Sequence, residues 1–137
     1  MNIHKIADHL NTLADNSETG MIFDCQPIAG EVDVLQISVL GREELPIFLS
    51  VTDDQILCIT YLWGTEEVKQ DRLNDMHECM LEMNIPMPLS AFSKIGDKYV
   101  TFGALSINSA YEDIEHELAV LSNNAIEVID DMSEYLI

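Results

Sequence analysis

From Ser109 to Ile137 the chain carries a helical apolar stripe and no Lys or Arg. Tyr111, Ile114, Leu118, Leu121, Ala125, Val128, Met132 and Tyr135 follow one another at steps of three and four, the spacing of a helix-packing seam. Glu112, Asp113, Glu115, Glu117, Glu127, Asp130, Asp131 and Glu134 occupy the other faces. A straight helix over this whole stretch would run about 40 Å at 1.5 Å per residue. That matches or exceeds the width of a domain with a radius of gyration near ~14 Å. The sequence therefore predicts a helix that either breaks at Ser122, Asn123 and Asn124 or reaches past its own domain. The in-phase step from Leu121 to Ala125 favours continuity. The first half of the stripe is expected to be core, and the half from Ala125 onward to face a partner.

The chain has 137 residues. That suffices for one domain, residues 1–137, with a self-supporting core and no need of disulfides or metals. Its 25 acidic and 6 basic residues give a formal charge of −19. Such a charge repels phosphate backbones and anionic headgroups, so nucleic acid and direct membrane insertion are excluded as expectations, and a basic polypeptide is the complementary partner. Strong acidity also serves plain solubility. Cys25, Cys58 and Cys79 are odd in number and scattered, which predicts reduced, mostly buried thiols. The polar opening MNIHKIADHL has no secretory pattern, and no apolar run approaches the ~20 residues of a membrane span. A soluble cytoplasmic protein is expected.

In chain order, Ile3, Ile6, Leu10 and Leu13 mark a short amphipathic helix that Asp15, Asn16, Ser17 and Gly20 should end. Met21 to Gln26 reads as a short strand closed by Pro27. Glu31 to Leu40 alternates as a half-buried strand, with a bulge or strand entry at Val34 and Leu35. Ile47 to Val51 and Ile56 to Trp63 complete an antiparallel meander. The last of these is apolar on both faces, so it should lie centrally, covered by helices on one side and by a partner or second layer on the other. Thr65, Glu66 and Glu67 open a second helix running to about Asn84, with Val68, Leu73, Met76, Met80 and Met83 on its buried face. Ile85, Pro86, Met87 and Pro88 end it. A hairpin follows, Ala91 to Ile95 and Lys98 to Leu105 about a Gly96–Asp97 turn. Ser109 and Glu112 form a capping-box signature for the last helix. The fold class is α+β: an antiparallel sheet of about five strands with helices packed against it, in the order helix, three or four strands, helix, two strands, helix.

Chemistry-bearing clusters are sparse. His77 and Cys79 lie beside Met76, Met80, Met83 and Met87, but methionines at helical spacing make deformable core or an adaptable binding face more often than a copper site. Glu43 with Glu44, Asp53 with Asp54 and Asp130 with Asp131 sit in turns or on a helix exterior as solvated surface, whereas acid/base catalysis needs carboxylates held in a cleft. Calcium-loop, nucleophile-elbow and phosphate-loop patterns are missing. No catalytic, metal or cofactor-binding residue is predicted, and no enzyme activity. The candidate partner-binding residues are Met76, Met80 and Met83 on the second helix, with Ala125, Val128, Met132 and Tyr135 on the last.

The short first helix, the acidic second helix after Leu62, Trp63 and Gly64, the hairpin after Asn84 and the acidic closing helix together resemble the class I type III secretion chaperone fold. That resemblance implies a small acidic cytoplasmic homodimer which holds partner segments in extended form. More narrowly, Ile56 to Glu67, Pro86 to Leu105 and Ser122 to Met132 resemble the YjfI-like family of bacterial proteins, which often accompanies membrane-stress proteins related to phage-shock protein A. The expectation is a non-enzymatic protein-interaction module, chaperone-like or adaptor-like. The alternative is a regulator linked to envelope stress that sequesters a coiled-coil partner through the heptad stripe.

Overall fold

The structure, a computed structural model, describes residues 1–13 and 18–137. Helix α1 (Ile3–Leu13) precedes four strands, β1 (Phe23–Ile28), β2 (Val34–Val39), β3 (Ile47–Val51) and β4 (Ile56–Gly64). Helix α2 (Leu73–Met83), the hairpin β5 (Ala91–Ile95) and β6 (Lys98–Leu105), and α3 (Tyr111–Asp131) complete the order. The expected α+β class is observed, with six strands rather than about five. All pairings are antiparallel, in the order β1-β2-β3-β4-β6-β5. As its two-sided apolar sequence requires, β4 lies inside the sheet, between β3 and β6.

Period-two alternation separates the two faces of the sheet. Ile56, Cys58 and Thr60 of β4 are buried together with Ile47 and Leu49 of β3 and Leu35 and Ile37 of β2. Ile3, Ile6 and Leu10 of α1 and Ile114, Leu118 and Leu121 of α3 close over that side to form one core cluster. A second cluster beneath the other end of the sheet joins Trp63, Phe92 and Tyr99 to Met76 and Met80 of α2 and Val128 and Met132 beyond it. The opposite face, with Leu57, Ile59 and Tyr61 of β4, is half-exposed and has no second layer among the described residues. Burial pushes the thiol of Cys58 up to about 12, helped by the nearby Glu117 charge. Cys25 is likewise raised to about 12, by burial first and Asp24 second. Both therefore behave as small apolar core groups.

Several local expectations are corrected. The end of α1 assigned to Asp15, Asn16 and Ser17 lies outside the described residues. Strand β1 runs through Pro27 to Ile28. Proline is tolerated there because β1 is an edge strand and one side of its backbone needs no ladder partner. Val34 is the strand entry of β2, while the register irregularity falls on β4 between Tyr61 and Trp63.

The second helix does not start at Thr65. Residues Thr65–Glu67 and Gln70–Arg72 form separate 3-10 turns, and Val68 between them is buried and bridged to Leu136. Glu67 caps locally instead, its Oε2 accepting a bond from the Gly64 N–H at 2.9 Å. Helix α3 begins after Ala110 and has no side-chain cap from Ser109. It passes unbroken through Asn123 and stops at Asp131, followed by a 3-10 turn at Ser133–Tyr135. At 21 residues it spans about 32 Å without a break, and its far end packs into the second core cluster through Val128 and Met132.

Candidate functional site

The two groups of residues expected to bind a partner meet one another inside the chain. Met76, Met80, Val128, Met132 and Tyr135 belong to a single buried cluster, with Met83 half-buried against it. Ala125 is fully buried one turn earlier in α3. The half of the last helix expected to face a partner is therefore core, and the cause is the tail's return across the Thr65–Arg72 stretch. Lys69 N–H donates to Tyr135 O and Ile137 N–H to Glu67 O, each at 2.8 Å. The Arg72 guanidinium stacks 4.8 Å above the Tyr135 ring. This small sheet-like clasp holds the helix end down over Met76 and Met80.

What reaches the surface is a groove beside those methionines. His77, Met80 and Leu81 of α2, with Asn84 just past its end, face Phe92, Lys94 and Tyr99 of the hairpin across a depression of about 290 Å³. Met80 forms its floor, whereas Leu81 is 70% exposed at its lip. Leu81 is one residue past Met80 and so points away from the buried stripe, which is why a search for periodicity passes over it. His77 Nε2 and the Tyr99 hydroxyl lie 2.7 Å apart, fixing the far wall. Burial holds the Tyr99 phenol above its ordinary range, so it stays protonated at neutral pH. The Lys94 ammonium lies 5.8 Å from the Tyr99 ring and has no carboxylate partner among the described residues.

The groove runs along a free sheet edge. Among the described residues strand β5 pairs only with β6. Its Phe92 N–H points away from β6 and donates to Asn84 Oδ1 at 2.7 Å. By the two-residue period of the ladder, the N–H and C=O of Lys94 also point outward. Asn84 thus closes one end of the edge and leaves the Lys94 end open to an added strand.

The connection from α2 to β5 is clamped to α3. Asn124, buried, donates through Nδ2 to Pro88 O at 2.8 Å and to Ser90 Oγ at 3.0 Å. These bonds hold Leu89 at φ 61°, a conformation that costs a non-glycine residue about 1 kcal/mol or more. Asn124→Ala is expected to strip Ser90 Oγ of this donor, to leave Pro88 O with the Ser90 N–H alone at 2.7 Å, and to lower unfolding free energy by about 1 kcal/mol or more. Denaturant titration measures this, and a midpoint equal to wild type would show the clamp to be idle.

Among the described residues no three His, Cys, Asp or Glu side chains gather as a metal site requires. No helix among the described residues is long and apolar enough to cross a membrane.

Known proteins share this architecture. YbjN, a putative transcription regulator from E. coli, superposes with a TM-score of 0.65 at 14% identity, over 98% of this chain and 91% of its own. The ExsC–ExsE complex gives 0.57 at 11% identity, over 95% of this chain and 96% of the matched one. Identities this low establish the fold alone. No functionally curated protein matches the chain. Sequence similarity reaches further than fold in one direction, and by it the chain belongs to the DUF2170 family, uncharacterised proteins conserved in bacteria, which it matches over residues 3–136.

Proposed function

We propose that this chain is a non-enzymatic, single-domain protein-binding module of the cytoplasm, an acidic homodimer that holds an extended segment of a protein partner along the β5 edge. The observation that carries the reading is the open Lys94 end of that edge beside an apolar groove with an exposed Leu81 at its lip. An extended segment would pair its main chain with Lys94 and set every second side chain against Met80, Leu81 and Phe92. The fold shared with ExsC, a protein solved in complex with ExsE, supports a chaperone-like or adaptor-like role. Exposed Glu78 and Glu82 on α2 and the net charge of −19 favour basic residues flanking the segment. The alternative, a regulator linked to envelope stress that sequesters a coiled-coil partner, draws no support from the stripe of α3, which is consumed inside the chain.

Leu81→Asp tests the reading because it alters the lip and leaves the core untouched. Partners are captured from a bacterial lysate on the tagged wild-type chain, identified by mass spectrometry, purified and titrated by calorimetry. Leu81→Asp should weaken binding at least about tenfold, the loss of one well-placed apolar contact near 1.5 kcal/mol, with an unchanged melting temperature. Equal affinity for the variant, or no partner captured by either chain, would remove the reading.

A further inference from the structure

The sheet face turned away from the helices serves neither the core nor the β5 groove. Pairing register assigns its side chains: Phe48 lies opposite Ile59, Ile59 opposite Phe102, Tyr61 opposite Val100, and Leu57 opposite Ala104. Phe48 and Tyr61 meet edge to face at 5.7 Å between ring centroids. Leu57, Ile59, Ile95, Val100 and Phe102 line a shallow depression of about 280 Å³ on the same face. Tyr61 is 41% exposed and Ile95 43%. These are contiguous apolar side chains on adjacent strands, the kind of patch that marks an interface.

Charge identifies the occupant. Along all six strands, this face carries Asp24 on an edge strand as its only carboxylate and Lys98 as its only amine. Lys98 is paired with Glu66 at 3.6 Å. The chain holds 25 acidic residues in all, and Glu31, Asp33, Asp53, Asp54 and Asp97 stand exposed in the loops at the strand ends. A basic partner would find its ion pairs elsewhere on the molecule and almost none here. Two copies of a chain charged −19 repel wherever their surfaces bring carboxylates together, and they repel least where this neutral face meets itself. Sheets pack face to face at about 10 Å, and a two-fold axis makes one patch serve both sides.

We infer that the open sheet face around Phe48, Ile59, Tyr61 and Phe102 seats the same face of a second copy, with the acidic loops forming a mutually repulsive rim. The inference deepens the homodimer of the preceding reading and rests on it. The rim gives it a signature: salt screens the rim and leaves apolar burial intact, so the dimer should tighten as ionic strength rises. Association built on opposite charges would weaken instead.

Sedimentation velocity on the full chain at low and high sodium chloride tests this, with Tyr61→Glu, Ile59→Glu and Leu81→Asp as variants. The wild type should dimerise with a dissociation constant about tenfold lower at high salt, Leu81→Asp should match it, and the face variants should be monomers with native circular dichroism. If Ile59→Glu fails to fold, the half-exposed Tyr61→Glu decides. A wild type that is monomeric at every salt concentration would overturn the homodimer and the face together. Dimers that persist in both face variants, or that weaken with salt, would overturn the face assignment alone. A monomeric wild type whose partner capture is lost in Tyr61→Glu would give the face to the partner, which also overturns the inference.

Discussion

Leu121→Asp is expected to leave the chain without a cooperative thermal transition. Leu121 has no solvent exposure and sits with Ile114 and Leu118 against Leu35, Ile37 and Leu49 of the sheet. Losing that burial alone removes about 1.5–3 kcal/mol. A carboxylate placed there without a partner adds an effective penalty of several kcal/mol more. Together these approach the ~5–15 kcal/mol that holds an ordinary domain folded. Val128→Asp should act alike, through the second cluster. Melting followed by far-ultraviolet circular dichroism is the measurement. A Leu121→Asp chain that melts like wild type would mean that the stripe faces outward as a coiled-coil seam, contrary to the packing described.

The opposite sign is expected for Glu117→Gln, which should stabilise the protein at neutral pH. Glu117 is 5% exposed, and its Oε1 has no hydrogen-bond partner. The oxygen lies over Gly103, where a Cβ on that residue would collide with it. Burial holds the carboxyl above its ordinary value of 4.5, an effect that the neighbouring His116 charge partly offsets. Since the folded state binds this proton more tightly than the unfolded state, the favourable contribution is complete below about 4.5. It is lost as pH rises through the higher folded-state value. Glutamine keeps the shape and removes the charge. Unfolding free energy at pH 7 should rise by about 1 kcal/mol or more, because the amide still leaves a polar atom unpaired there but no longer buries a charge. The gap between the two proteins should close as pH falls below the ordinary carboxyl value. Denaturant titrations across that range would refute this account if the two proteins were equally stable at pH 7.

Local rules read the hairpin and the core well. Gly96 and Asp97 place the β5–β6 turn, and Gly96 adopts the positive φ of 57° that such a turn uses. The two-sided apolar run Ile56–Trp63 identifies the inner strand. The stretch Thr65–Arg72 resists local reading because its structure is set by distance: Val68 bridges to Leu136, and that long-range pairing overrides the helical propensity of Glu66 and Glu67. Periodicity also misdirects the choice of binding residues, for a physical reason. A three-and-four stripe marks what a helix buries, so Met76, Met80, Val128 and Met132 are found as a group and turn out to be core. Leu81 and Lys94 belong to no stripe. Their significance depends on α2 lying beside the free edge of β5, a juxtaposition that no window of sequence contains.

Backbone hydrogen exchange at β5, measured with and without the captured and purified partner, tests the central claim most directly. Free in solution, the Phe92 amide is held by Asn84 while the Lys94 amide faces outward along the open edge. Addition of a strand should slow exchange at Lys94 by about a hundredfold or more, as an amide entering a stable ladder requires, with smaller changes at Ser93 and Ile95. Protection that appears on other elements while the Lys94 amide exchanges at its free rate would contradict an extended segment bound at this edge.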